Sequence, residues 1–75
     1  KSPETVCYEI FREILREARQ YDTEQLLVLA SQEVIDRLVD EESAGFAELE
    51  AFIGRPIRLQ VEPMYTQAQY DVVLM

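Results

Sequence analysis

Val6, Cys7, Ile10, Phe11, Ile14, Leu15 and Ala18 recur at three- and four-residue intervals, and Glu9, Arg12, Glu13, Arg16 and Glu17 occupy positions between them. That spacing puts a broad apolar stripe along one side of a helix and charge along the other. Ser2 suits the N-cap, Pro3 the first helical position, where a missing N–H does no harm, and Glu4 the positive first turn. The pattern predicts a helix that opens the chain and ends near Arg19 or Gln20.

After the polar link from Tyr21 to Glu24 comes Leu26 to Ala30 (LLVLA), unbroken apolarity too short for an independent helix and bounded by polar residues. It reads as a strand with both faces covered, as in a sheet interior or at a junction with another domain. Ser31 can cap a second helix whose Val34, Ile35 and Leu38 turn inward, with Glu33 four residues before Arg37, ending near Asp40. Ser43 can cap a third, whose inner face is read as Phe46, Leu49, Phe52 and Ile53. Gly54 fits the left-handed position just past its end, and Pro56 prevents continuation.

Ile57, Leu59 and Val61 then alternate with Arg58, Gln60 and Glu62, the signature of a half-buried strand, which Pro63 ends. Following the polar bend Met64 to Ala68, a second β-rich run begins at Tyr70 (YDVVLM), and the two are expected to form an antiparallel hairpin. The fold class is therefore α+β: a small three-stranded sheet, mixed or antiparallel, with about three helices in the order helix, strand, helix, helix, strand, strand. If the first two strands are neighbours, the two-helix crossover makes them parallel; strand order is left open. No repeat or low-complexity segment interrupts the chain, and residues 1–75 read as a single small domain.

Composition narrows the chemistry. At 75 residues, 48% hydrophobic and 29% charged, the chain has the profile of one globular unit with a core of little margin. No run approaches the roughly 18 apolar residues of a membrane span and no signal-peptide pattern opens it, so a cytoplasmic setting without membrane association is expected. The absence of an initiator Met before a helix start so near Lys1 suggests a piece of something longer. Fifteen acidic residues against seven basic ones give a net charge of −8, which disfavours strong RNA binding by these residues alone.

There is no histidine and only Cys7, so neither a disulfide nor a Cys/His zinc set can form within the chain, and Ser/His/Asp or Cys/His catalysis is excluded. Cys7 reads as a small apolar residue on a buried helix face. Gly45 and Gly54 are too few for a phosphate loop or the GxxG clamp of a KH domain. Asp40, Glu41 and Glu42 splay as neighbours and lack calcium-loop spacing, so they read as a solvated linker; Glu9, Glu13 and Glu17 are better paired with Arg12 and Arg16 than with a metal. No catalytic, cofactor-binding or metal-ligating residue is assigned.

Two kinds of surface remain. Arg12, Arg16 and Arg19 line one helix edge and could meet phosphates or an acidic partner, although Glu9 and Glu13 neutralise much of it, and Tyr65 in the polar bend could stack on a base. If Tyr70, Val72 and Leu74 face the helices, Val73 and Met75 lie on the opposite side with Asp71; with Leu27 and Leu29 they form a candidate partner interface.

QVEPMYTQAQYDVVLM, together with TVCYEIFREI near the start and DEESAGFAELEAFIGRPI between, resembles the C-terminal small domain of the bacterial ribonuclease E/G family, and the closing EPMYTQAQYDVVLM favours the G branch. The likeness spans nearly the whole chain. It implies a parent that is a metal-dependent endoribonuclease cutting single-stranded, AU-rich RNA in ribosomal RNA maturation and messenger RNA decay. It also implies that the catalytic magnesium-binding aspartates and a CPxC-type zinc link lie upstream. Cys7 stands in TVCYE, not CPxC, so no zinc role is carried onto it, and no acidic residue here matches the catalytic aspartates. The resemblance thus implies magnesium and zinc for the parent and none for this segment. The expected role is non-catalytic assembly, with the parent's nuclease domain and other copies as partners and RNA bound by the parent. A free-standing RNA-binding or protein-interaction adaptor is the alternative.

Overall fold

The computed structural model describes all residues from Lys1 to Met75. Its elements are α1 (Pro3–Gln20), β1 (Leu26–Ala30), α2 (Gln32–Val39), α3 (Ser43–Ile53), β2 (Ile57–Val61) and β3 (Tyr70–Leu74), the predicted order. The class is α+β with a mixed three-stranded sheet.

The caps follow from local chemistry. Ser2 is extended and its Oγ accepts from the Thr5 N–H at 3.2 Å, with Pro3 opening α1. Ser31 Oγ accepts from the Val34 N–H at 3.4 Å and starts α2. Gly54 takes a left-handed backbone, φ 69°, and its N–H donates to Glu50 O, ending α3. No glycine closes α1; instead the Arg55 guanidinium donates to Ala18 O and Tyr21 O at 3.2 and 3.1 Å, occupying carbonyls that the helix end leaves without partners.

The third helix begins differently from expectation. Its N-cap is Glu42, with no side-chain cap bond, and Ser43 is already helical. The N–H groups of Asp40 and Glu42 both donate to Arg37 O, forming a tight turn that starts α3 one residue early, while the Glu42 carboxylate is drawn to Arg37 Nε at 3.0 Å. Arg37 also meets Glu4 at 3.2 Å and Glu41 at 3.6 Å, so it joins α1, α2 and the turn before α3 instead of pairing with Glu33. The Glu42 side chain is only 13% exposed; the acidic turn is thus half structural, not wholly solvated. Likewise Glu9 pairs with Lys1 at 2.9 Å, not with Arg12, and only the Glu13 to Arg16 contact, at 3.8 Å, follows the expected helical pairing.

The strand order is β2-β1-β3. β1 pairs parallel with β2, Leu26 opposite Ile57 through Ala30 opposite Val61, and antiparallel with β3, Leu26 opposite Leu74 through Ala30 opposite Tyr70. The expected β2–β3 hairpin is therefore wrong. Hairpin loops are typically two to five residues, whereas residues 62–69 are a longer segment containing two turns, Tyr65 N–H to Glu62 O and Gln69 N–H to Thr66 O, and it carries the chain past the end of β1 to the far edge. The most apolar strand, which gains least from an exposed edge, takes the centre.

Leu26, Val28 and Ala30 from β1 pack with Val6, Cys7, Ile10 and Ile14 of α1, Val34, Ile35 and Leu38 of α2, and Ile57 of β2 in one buried cluster. Leu59, Val61, Tyr70, Val72 and Leu74 border it. The helices cover this single face of the sheet. α3 lies at the margin, with no buried residue; Phe46, Leu49 and Ile53 pack inward, but Phe52, read as inner-facing, is 74% exposed. Residues 46, 49 and 53 already define a heptad-like stripe, and position 52 lies about 100° around the helix from 53. Glu50 fixes that rotation by accepting the Ile57 N–H at 2.8 Å.

Ile10 is fully buried at the centre of the cluster. Ile10→Ala should cost about 2–5 kcal/mol and lower the urea midpoint accordingly; a loss below about 0.5 kcal/mol would show that the α1–sheet contact is not the main source of stability.

Candidate functional site

The sheet has a second face with no helix on it. The ladder puts Leu27 between Arg58 and Val73, and Leu29 between Gln60 and Asp71. Met75 extends the row, its N–H donating to Gln25 O at 3.0 Å. Side chains alternate across a strand, so the odd-numbered β1 and β3 residues share this face while Tyr70, Val72 and Leu74 meet the core. Leu27 and Leu29 are half-buried by their neighbours alone; Val73 is 38% and Met75 48% exposed. All four residues singled out in the sequence as a partner surface thus lie side by side, an apolar centre with Arg58 and Asp71 at its polar margins.

Asp71 is partly committed. Tyr65 Oη donates to its carboxylate at 2.5 Å, and that bond to an anion pushes the Tyr65 phenol above its ordinary pKa. The bond ties the 62–69 segment to β3, and Gln67 reaches Lys1 O from the same segment. Tyr65 is half-buried and its hydroxyl is occupied by Asp71.

Arg12, Arg16 and Arg19 do converge on one feature, an open groove of about 560 Å³ between α1 and the start of β3, also lined by Glu9, Glu13, Leu15 and Tyr70. Tyr70, not Tyr65, is the aromatic beside them. The partnership has no sequence signal, because it depends on β3 crossing to the edge beside α1. A third feature is shallower: Phe52, Leu49, Phe11 and Gly45 line a cleft between α1 and α3.

No three His, Cys, Asp or Glu side chains converge so as to hold a metal ion. Cys7 is buried, its thiol directed at Val34 O at 3.8 Å. Burial, then the nearby Glu42 carboxylate, push that thiol from an ordinary 9.0 to about 11. No helix is long and apolar enough to cross a membrane.

Comparison with known proteins gives the chain a relationship. It is 52% identical over all 75 residues to ribonuclease G of Salmonella typhimurium (strain SL1344), and 51% identical over its full length to ribonuclease G of Escherichia coli (strain K12). Ribonuclease G of Haemophilus influenzae is 47% identical over a 76-residue alignment covering the whole chain. At this level over the entire chain the relationship is homology. The chain spans about 15% of the length of these curated relatives. No protein-family model matches it.

The Cys7 geometry has a measurable consequence. A thiol whose pKa is raised by folding contributes its full stability below the unfolded value and loses it as the pH rises through the folded one. Unfolding free energy should accordingly decline between pH 9 and 11, with Tyr70, also raised by burial, adding a decline of the same sign. Cys7→Ala should flatten part of that decline in urea titrations; an identical alkaline slope in the variant would exclude the thiol as its source.

Proposed function

We propose that this chain is the non-catalytic C-terminal assembly domain of a ribonuclease G-like endoribonuclease. The observation that carries the reading is the homology, which runs through every element of the fold while covering only about 15% of each relative. A segment of that share, in which no three His, Cys, Asp or Glu side chains converge on a metal site, serves on this reading to hold parts of the larger enzyme together. Cleavage of single-stranded, AU-rich RNA, magnesium dependence and the zinc link belong on this reading to the remainder of the parent, as does the cytoplasmic setting.

The one-sided sheet supplies the means. Leu27, Leu29, Val73 and Met75 form the docking surface for the parent's nuclease domain or for another copy of the enzyme. Covering them removes from water the apolar stripe that the domain's own helices leave open, and Arg58 and Asp71 at the margin orient the partner by charge.

Two measurements test this. The purified 75-residue chain should leave single-stranded RNA intact in the presence of magnesium; robust cleavage by it would refute the assembly role. In the parent enzyme, Val73→Asp should weaken self-association or domain docking by at least about tenfold, because a carboxylate is desolvated only when the face is covered. The same change should leave the isolated chain's unfolding midpoint nearly unchanged, since Val73 is already exposed. Unaltered sedimentation of the parent variant would eliminate this face as the docking surface, and a chain found to act without any parent would favour the adaptor reading.

A further inference from the structure

The seven basic side chains of this acidic chain are unevenly employed. Arg37 is taken by Glu4, Glu41 and Glu42, Arg55 by the carbonyls of Ala18 and Tyr21, and Lys1 by Glu9. Arg12 and Arg19 make no ion pair, and Arg16, 69% exposed, reaches only Glu13 at 3.8 Å, beyond hydrogen-bond length. These three unspent guanidiniums line the same groove. Glu9, one of the two carboxylates there, is paired with Lys1, and the lining holds three guanidiniums against two carboxylates, the reverse of the balance in the chain as a whole.

The spacing has a physical counterpart. Positions 12, 16 and 19 spread over about 10 Å of helix axis at 1.5 Å per residue, and a stacked nucleic-acid strand advances about 3.4 Å per phosphate. The three guanidiniums thus span about three phosphate steps of such a strand. Tyr70 adds an aromatic ring beside them, which a base can use for stacking and an acidic peptide does not require. Guanidinium forks pair with phosphate oxygens through two N–H groups at once.

We propose that the groove formed by Arg12, Arg16, Arg19 and Tyr70 is an auxiliary contact site for the phosphodiester backbone of single-stranded RNA. The choice of RNA over another polyanion rests on the ribonuclease-related reading above; the site does not depend on the sheet face being an assembly surface. In the surrounding field of a −8 chain the contact is weak and salt-sensitive, a guide for a strand held elsewhere and not an independent high-affinity site.

Fluorescence anisotropy of a labelled oligouridylate against the 75-residue chain, titrated at several salt concentrations, tests the site. Binding at low salt should fall at least about tenfold in the combined variant Arg12→Gln, Arg16→Gln, Arg19→Gln, and the slope of log K against log salt should shrink by about 2, from about 0.7 per phosphate contact. The corresponding triple lysine variant should bind within about threefold of the unaltered chain, and circular dichroism checks that both remain helical. Should the glutamine variant lose its helix, Arg19→Glu alone must still weaken binding severalfold. No binding by the unaltered chain, binding unchanged by arginine removal, or polyglutamate displacing the RNA as effectively as oligouridylate would each overturn the proposal, the last in favour of an acidic protein partner. Val73→Asp should leave oligonucleotide binding unchanged, so loss of assembly and loss of RNA contact read out separately.

Discussion

Everything in this fold depends on hydrogen bonding both edges of a strand that has no polar side chain. Leu26 to Ala30 cannot lie at a sheet margin without exposing backbone groups and leucines together, so β2 and β3 flank it, one parallel and one antiparallel. The parallel partner requires a crossover, which α2 and α3 supply; the antiparallel partner requires the chain to return past the same end, which residues 62–69 accomplish. The helices belonging to that path, with α1, suffice for one face of a sheet this narrow. The other face is left with whatever β1 presents there, namely Leu27 and Leu29.

Charge is allocated with a similar economy. Two arginines are consumed in construction. Arg37 links α1, α2 and the turn into α3, and Arg55 ends α1 where no glycine is available. Both act at element junctions where backbone or carboxylate oxygens are partly withdrawn from water, and there a charge-assisted hydrogen bond counts for more than at an open surface. Arg12, Arg16 and Arg19 stand instead on the outer edge of a helix that is already capped and packed, and the fold makes no comparable use of them. Arg58 is the remaining arginine, at the margin of the apolar stripe.

Much of this was legible in the chain. The period of α1, the serine caps at Ser2 and Ser31, Gly54 past α3 and the element order all follow from local chemistry that tertiary packing does not override. So does the sharing of one face by Val73 and Met75, since alternation is a property of any strand. What was not legible depended on long-range choices. The hairpin expectation failed because turn residues announce a reversal without saying which strand the chain returns to, although the length of 62–69 and the unbroken apolarity of LLVLA together favoured a central β1. Phe52 was misplaced because a marginal helix buries only the narrow stripe of Phe46, Leu49 and Ile53, and Glu50's bond to the Ile57 N–H just past its end holds it in that rotation. The Arg37 cluster was hidden because Glu4 lies on another helix and Glu42 on a turn whose backbone had to fold first. The pairing of Tyr70 with the arginine edge was invisible for the same reason as the strand order that creates it.

The two surfaces are therefore consequences of one topological decision. Had β3 paired with β2 as a hairpin, β1 would have been left with a free edge, Val73 would not stand opposite Leu27, and Tyr70 would not adjoin α1. Placing β1 in the centre instead aligns Leu27, Leu29, Val73 and Met75 on the uncovered side of the sheet while carrying the start of β3 to the arginine edge on the covered side. An apolar face and a cationic groove on opposite sides of the same strand can be engaged at once, because neither occupant needs the other's atoms. On the reading proposed above, a small domain built this way holds a larger assembly through one side of its sheet and keeps the helix side free for a passing polyanion.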